Sequence, residues 1–377
     1  MTQDVDRVND EVTDLAAAAF ASGRRILHIQ AIGQGNINDT YLVTLDPSPD
    51  SRYILQRLNT QVFREPQKVM GNLRLLTEHV QRRLESAALE PGRRWEAPRL
   101  FTTNGDADHY LAPDGSFWRA LSYIDEADSW ETVSDARQAW EVGYALGLFH
   151  SLVNDLPAAS LADTLPGFHV TPNYLTHYDA VLAAQPPPAS PEVRYAMQFI
   201  NERRHLAPVL EDARAQGRLP VRPMHGDPKV NNFMMDRATG QAVGLVDLDT
   251  VKPGLIHYDL GDCLRSAANP WGEETEAWEG VRFDVDLGRA LLQGYLSQAQ
   301  AFLTAGDYEY LYDSLRLLAF ELGLRFFTDY LEGDVYFKAR HREHNLVRAL
   351  VQLALARSME AQESLLRAII QELPCRS

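Results

Sequence analysis

Cysteine is almost missing from this chain, with Cys263 and Cys375 the only two among 377 residues. Two thiols are too few for a disulfide framework or a cysteine-based metal site. Cys263, inside Leu260-Gly-Asp-Cys-Leu264, reads as a packing residue rather than a nucleophile. No apolar run is long enough to span a bilayer. The start, Met1-Thr-Gln-Asp-Val-Asp6, has neither the basic nor the apolar region of a signal peptide, so a cytoplasmic protein is expected. Positive charge is also short: 36 basic against 52 acidic residues leave a net charge of −16, which argues against nucleic acid or an anionic membrane as partner. Internal repeats and low-complexity tracts are absent, and Pro186-Pro-Pro188 reads as a rigid link between helices.

The length suits two lobes. A helix is expected near residues 12–24, then two strands between Ile26 and Leu45, a third over Tyr53–Leu58 and a helix from about Gln67 to Glu85. Further strands near Arg99–Thr103, His109–Ala112 and Phe117–Tyr123 complete a small antiparallel sheet. From Ser129 the pattern turns helical, opening with an amphipathic segment that runs through Leu152. The expectation is an α+β protein of two lobes, a small antiparallel sheet lobe over residues 1–124 and a larger helical lobe over 125–377. The crevice between such lobes suits a nucleotide, with the connecting backbone near Tyr123 placed to meet a purine.

The chemistry concentrates in His225-Gly-Asp227-Pro-Lys229-Val-Asn-Asn232 and in Val246-Asp247-Leu-Asp249. Phosphoryl transfer of the kinase type uses an aspartate to accept the hydroxyl proton, an asparagine on the same loop to hold Mg²⁺ and a later aspartate to hold Mg²⁺ against the nucleotide. Asp227, Asn232 and Asp247 stand in that order. Each residue alone is an ordinary turn or cap; the ordered set is what speaks for chemistry. The stretch between them reads as a hairpin, with apolar runs Phe233–Met235 and Ala242–Val246 around a turn at Asp236–Gly240. Such a hairpin brings Asp227, Asn232 and Asp247 to one magnesium–nucleotide site. Lys229 either faces the transferred phosphoryl group or is a surface lysine. His225 reads as orienting the loop, while Asp259 and Asp262 either cap a helix or brace the loop.

Gly33 and Gly35 open the backbone to phosphates or form an ordinary hairpin turn, since a third glycine is replaced by Asn38. The third strand lacks the lysine that usually pairs with the phosphates, so either Gln56 or Arg57 substitutes or the phosphates are held differently. Arg325 is an isolated cation in an apolar, aromatic helical stretch, where a buried arginine needs acceptors; an internal ion pair to Glu321, Asp329 or Glu332 is the alternative to a ligand.

On these residues the chain resembles the aminoglycoside phosphotransferase and choline kinase superfamily, and within it the N-acetylhexosamine 1-kinases. The closer resemblance rests on Gly33–Asn38, Tyr53–Gln56, Lys229–Asn232, Leu248–Gly254, Asp259–Asp262, Arg325–Phe337 and His344–Arg348. It implies a bilobal protein-kinase-like fold, with the N-terminal lobe binding nucleotide and the C-terminal lobe carrying catalysis and substrate. It further implies transfer of the ATP γ-phosphate to the anomeric hydroxyl of a free N-acetylhexosamine, with Asp227 as base, Asn232 and Asp247 as Mg²⁺ ligands, and Asp247, Arg325 and Tyr336 at the sugar. One departure is Asn36, where sugar kinases of this subgroup carry histidine; it keeps hydrogen-bonding capacity without the ring and bears on sugar preference. The partners implied are ATP and a small sugar, for a monomer or homodimer. The rivals are a kinase for another small hydroxylated metabolite, such as a different sugar, choline or an aminoglycoside, and a nucleotide-binding regulator without turnover.

Overall fold

The computed structural model describes residues 11–32, 37–47, 51–86 and 89–373. Gly33, Gly35, Asn36 and Cys375 lie outside these residues. Two compact units result, one of Met1–Ala87, Glu96–Asp125 and Ala162–Thr164, the other of Ala88–Trp95, Glu126–Leu161 and Leu165–Ser377. Asn72 explains why so short a stretch as 162–164 joins the first unit: its side-chain amide donates to and accepts from the Ala162 backbone, both at 2.8 Å.

In the first unit, α1 (Glu11–Phe20) precedes β1 (Ile26–Ala31), β2 (Asp39–Leu45) and β3 (Arg52–Leu58); α2 (Pro66–Ser86) and the strands β4 (Leu100–Phe101), β5 (Tyr110–Leu111) and β6 (Phe117–Ser122) follow. The sheet is antiparallel in the order β1-β2-β3-β6-β4, with β5 also on β6. Alternation decides its faces: Val43, Leu45, Tyr53, Leu55 and Trp118 point into a core shared with Ala16, Ala17 and Phe20. The Tyr53 hydroxyl donates to the Ala17 carbonyl at 2.7 Å and so locks helix to sheet. The first helix ends at Phe20, short of the expected residue 24, because Ser22 and Gly23 take left-handed backbone angles (φ 52° and 73°) that stop it.

The second unit begins with a strand that periodicity does not reveal, β7 (Ala127–Ser129). It then runs through α3 (Ala136–Val153), α4 (Thr171–Ala184), α5 (Pro191–Arg203), α6 (Val209–Ala215), β8 (Arg222–Met224), β9 (Phe233–Asp236), β10 (Ala242–Leu245), β11 (Lys252–Gly254), α7 (Ile256–Ala267), α8 (Val285–Ala299), α9 (Ala305–Glu309), α10 (Leu311–Glu332), α11 (His344–Ala361) and α12 (Glu363–Glu372). β9 and β10 form the expected hairpin, and β7 adds to its free edge through Asp128↔Met235. Helices α3 and α8 pack backbone to backbone: a Cβ on Gly143 or Gly294 would sit 2.0 Å from a carbonyl oxygen of the other helix. No described helix is long and apolar enough to cross a membrane.

Candidate functional site

The segment from His225 to Asp247 is closed by two antiparallel pairs. β8 meets β11, with Met224 opposite Lys252, and the β9–β10 hairpin lies inside that closure. Asp227 sits just past the end of β8 and Asp247 just past the end of β10. His225 joins the two: its Nε2 faces the Val246 carbonyl at 2.9 Å and its Nδ1 faces the Asp227 N–H at 3.2 Å. An acceptor on one side and a donor on the other select the neutral Nε2–H tautomer, and burial holds its pKa below the ordinary value. The Val246 N–H also donates to the Asn232 carbonyl at 2.9 Å.

The loop backbone is held from three more sides. Asp259, fully buried on α7, accepts the N–H groups of His225 (2.6 Å) and Gly226 (2.7 Å), and His150 of α3 at 2.8 Å. Of the two roles open to Asp259, bracing the loop is therefore the one it fills. The Thr250 hydroxyl donates to the His225 carbonyl at 2.7 Å. Gly226 has φ 90°, and a Cβ there would lie 2.7 Å from the Thr250 carbonyl oxygen, so both conformation and space call for glycine. Farther along, Ser266 of α7 accepts the Val230 N–H at 3.1 Å.

Within this frame Asp227 and Lys229 form an ion pair at 2.7 Å through Asp227 Oδ2, each side chain 30 % exposed. The Asn232 amide nitrogen donates to the Asp227 carbonyl at 2.7 Å, which turns its amide oxygen elsewhere, and lies 3.5 Å from Oδ2. Burial disfavours the Lys229 ammonium, but Asp227 and Asp247 outweigh it and raise its pKa. Asp247 is exposed and left-handed (φ 61°, ψ 54°), a strained state for a non-glycine residue. No group of three His, Cys, Asp or Glu among the described residues forms a metal cage. Asp247 and Asn232 would offer a Mg²⁺ ion one carboxylate and one amide oxygen, hard donors of the kind it takes when phosphates and water complete its shell.

Arg325 of α10 ends among four rings, with Phe168, Tyr174, Tyr336 and Phe337 centroids 4.9–5.9 Å from its guanidinium carbon. Its ion pair is with Glu321, at a loose 3.9 Å. The other two expected partners are engaged elsewhere: Asp329 accepts the N–H groups of Tyr336 (2.7 Å) and Phe337 (3.0 Å), and Glu332 meets His177 at 2.9 Å. Burial works against the Arg325 charge, but Tyr174, Tyr336, Glu321 and then Asp227 more than offset it, so its pKa is raised. Tyr336 remains 49 % exposed beside it.

His169, which sequence reading passed over, ties this cluster to the loop. Its Nδ1 faces Glu321 Oε1 and its Nε2 the Gly226 carbonyl, both at 2.8 Å. Acceptors on both nitrogens demand two protons; burial opposes the charge, Glu321 prevails, and the pKa is raised. Glu321 is also fixed by the Thr171 hydroxyl at 2.6 Å. His169 and Glu321 are 152 positions apart, so no local pattern announces the pair. A signal did exist for α7: Asp259, Asp262 and Ser266, spaced three and four apart, share one helix face.

In the first unit, the Gln56 side chain is fixed on the sheet: its Oε1 accepts from Arg119 Nε (3.0 Å) and Nη2 (2.7 Å) across the β3–β6 pair, and its Nε2 donates to the Thr40 hydroxyl at 3.2 Å. Arg57 is exposed and pairs with Asp114 at 3.4 Å. Tyr123, half-buried, lies under the Arg52 guanidinium at 4.7 Å.

An antiparallel sheet in the N-terminal region, a helical C-terminal region and a loop built this way define the protein-kinase-like fold. Residues 28–302 match the phosphotransferase enzyme family, and the chain belongs to that family. Solved structures agree on the fold. An aminoglycoside phosphotransferase from Alicyclobacillus acidocaldarius subsp. acidocaldarius DSM 446 is similar at 14 % identity and TM-score 0.63, with 96 % of each chain covered. A microcompartment-associated aminopropanol kinase is similar at 14 % identity and TM-score 0.61, over 95 % of this chain and 99 % of that one. A choline kinase from Cryptosporidium parvum Iowa II follows at 12 % identity and TM-score 0.57, over 91 % of each.

Proposed function

We propose that the protein is an ATP-dependent, Mg²⁺-requiring kinase that phosphorylates the anomeric hydroxyl of an N-acetylhexosamine. The observation that carries the acceptor class is the Arg325 cluster. An aromatic cage is the usual receptor for an alkylammonium group, but here the cage is filled by the protein's own guanidinium. A cationic acceptor such as choline or an aminoglycoside would meet like charge; a neutral sugar offers hydroxyl and amide oxygens to the N–H groups and a ring face to Tyr336.

Asp227 takes the proton. Lys229 and Asn232 both address its Oδ2, which leaves Oδ1 for the sugar hydroxyl. The anomeric oxygen forms its bond to the γ-phosphorus as the bond from phosphorus to the departing ADP oxygen breaks, and the proton passes to the carboxylate. Lys229 keeps a positive charge beside the base, where phosphoryl charge shifts. Mg²⁺, when held by Asp247 and Asn232, supplies charge neutralisation for the phosphates. Gly33, Gly35, Gln56, Arg57 and Tyr123 belong to the nucleotide in this reading, and Asn36, Asp247, Arg325 and Tyr336 to the sugar.

The test follows the phosphorus NMR signal of MgATP with N-acetylglucosamine, N-acetylgalactosamine and their methyl glycosides. Anomeric phosphates from the free sugars and none from the glycosides are expected. A phosphorylated glycoside, or turnover of choline or an aminoglycoside with no hexosamine reacting, overturns the reading.

A further inference from the structure

Helix α7 lies along the loop with one face. Asp259 takes the amides of His225 and Gly226, and Ser266, two turns on, takes the amide of Val230. Asp262 stands between them on that face, and so opposite the stretch Asp227–Lys229. The opposite side of the helix is committed to packing, since a Cβ on Gly261 would lie 2.6 Å from the Ser314 carbonyl of α10. The Asp262 side chain is only 8 % exposed. Arg265 spends both of its bonds to it, from Nε at 2.9 Å and Nη2 at 2.7 Å, on Oδ1. Oδ2 is buried and has no hydrogen-bond partner among the described residues. A buried carboxylate oxygen without a donor is costly. Burial, with the Asp227 charge adding to it against the pull of Arg265, leaves the carboxyl above its usual pKa range.

The same arginine fixes the carboxylate in place. Arg265 Nη1 binds Glu273 at 2.5 Å, Glu273 meets Arg348 at 3.8 Å, and Arg348 lies over the ring of Phe337, one of the four rings around Arg325, at 5.6 Å. Asp262 is thereby tied through Arg265, Glu273 and Arg348 to a ring of the Arg325 cluster. Nothing in phosphoryl transfer itself uses it.

We infer that Asp262 Oδ2 is an acceptor-recognition group, taking a hydrogen bond from a hydroxyl or amide N–H of the substrate other than the hydroxyl that attacks phosphorus. This rests on the hexosamine reading above and adds to it a residue of specificity: Asp262 accepts where Arg325 donates, so the two read opposite polarities of one neutral, hydroxyl-rich ligand.

The experiment is a cycle of Asp262→Asn against a panel of 3-deoxy, 4-deoxy, 6-deoxy and 2-deoxy (lacking the N-acetyl group) analogues of the accepted hexosamine. Asparagine keeps an oxygen for Arg265 and presents an N–H₂ group where Oδ2 stood. The variant should raise the KM for the sugar about ten- to a hundredfold, leaving the KM for MgATP and the melting temperature near those of the parent. One analogue should show that same loss on the parent enzyme and no further loss on the variant. An unchanged sugar KM, a fall in kcat alone, or losses that add for every analogue would overturn the assignment to Asp262 while the kinase reading stands. Should the parent protein phosphorylate no hexosamine, the acceptor reading fails first and this assignment falls with it. Asp262→Ala with calorimetric titration of the sugar checks that an altered KM reports binding.

Discussion

The loop around Asp227 and the cluster around Arg325 lie in the same unit and are built in opposite ways. The loop is held at five of its backbone groups by side chains of other elements: Asp259 on two amides, Thr250 and His169 on two carbonyls, Ser266 on a third amide. Arg325 has a 3.9 Å ion pair and four ring faces, and its neighbour Tyr336 is half in solvent. The first arrangement leaves one geometry; the second leaves donors to spare. The proposed proton transfer needs the former, because a base must be aligned to a fraction of an ångström, while the proposed acceptor site would gain selectivity from donors that only the correct ligand satisfies.

The largest test of this contrast is Asp227→Asn. Turnover should fall about a thousandfold through loss of the proton acceptor, with the KM for MgATP and the melting temperature little changed; activity near the parent level would show that the rigid loop serves another purpose. Next comes Asp259→Asn, which sets an N–H₂ group against donors in a buried site. About 3 kcal/mol of stability should be lost in chemical denaturation, together with most activity. A melting temperature unchanged by that substitution would mean the loop is not held as described.

Arg325→Ala should act on the other half of the comparison. The KM for the acceptor should rise about tenfold or more while stability changes little, since Glu321 keeps His169 and Thr171. A large loss of stability with no change in acceptor KM would make Arg325 a structural cation.

The smallest effect is a pH dependence, and here two histidines, His225 on the loop and His169 bonded to it, have opposite signs. His169 has a folded pKa raised above the ordinary 6.5, so its contribution is fully present below 6.5 and is lost as pH rises through the folded value. His225 has a lowered folded pKa, so it costs stability as pH falls from 6.5 toward that value. Melting temperatures from pH 5 to 9 should show His169→Gln removing the decline on the alkaline side and leaving the acid side in place. A parallel shift of the whole curve would contradict the charged state of His169.

Much of this was legible along the chain. The β9–β10 hairpin carries its own alternation and turn residues, and it emerged where the apolar runs placed it. The Asp227, Asn232 and Asp247 order was readable because loop chemistry depends on short spacings. The helix α2 was found within a residue at each end. β7 was missed, since three residues with a buried alanine and two exposed side chains look like a linker until a neighbouring edge pairs with them. Arg119 was passed over for a related reason: strand sequences show alternation but not which residue lies opposite, and its pairing with Gln56 is a matter of register.

By itself, then, the sequence determined the strands and helices of the first unit, the β9–β10 hairpin, the family and the ordered motif on which the proposed chemistry rests, because these depend on periodicity and on neighbours a few positions away. Only the tertiary structure decided which groups hold them. Asp259 on the loop amides, His169 between Gly226 and Glu321, and Asp262 with one oxygen unpartnered join positions from different elements. Hydrogen bonds and burial act over a few ångströms of space, and no pattern along the chain records which distant residues folding brings within that reach.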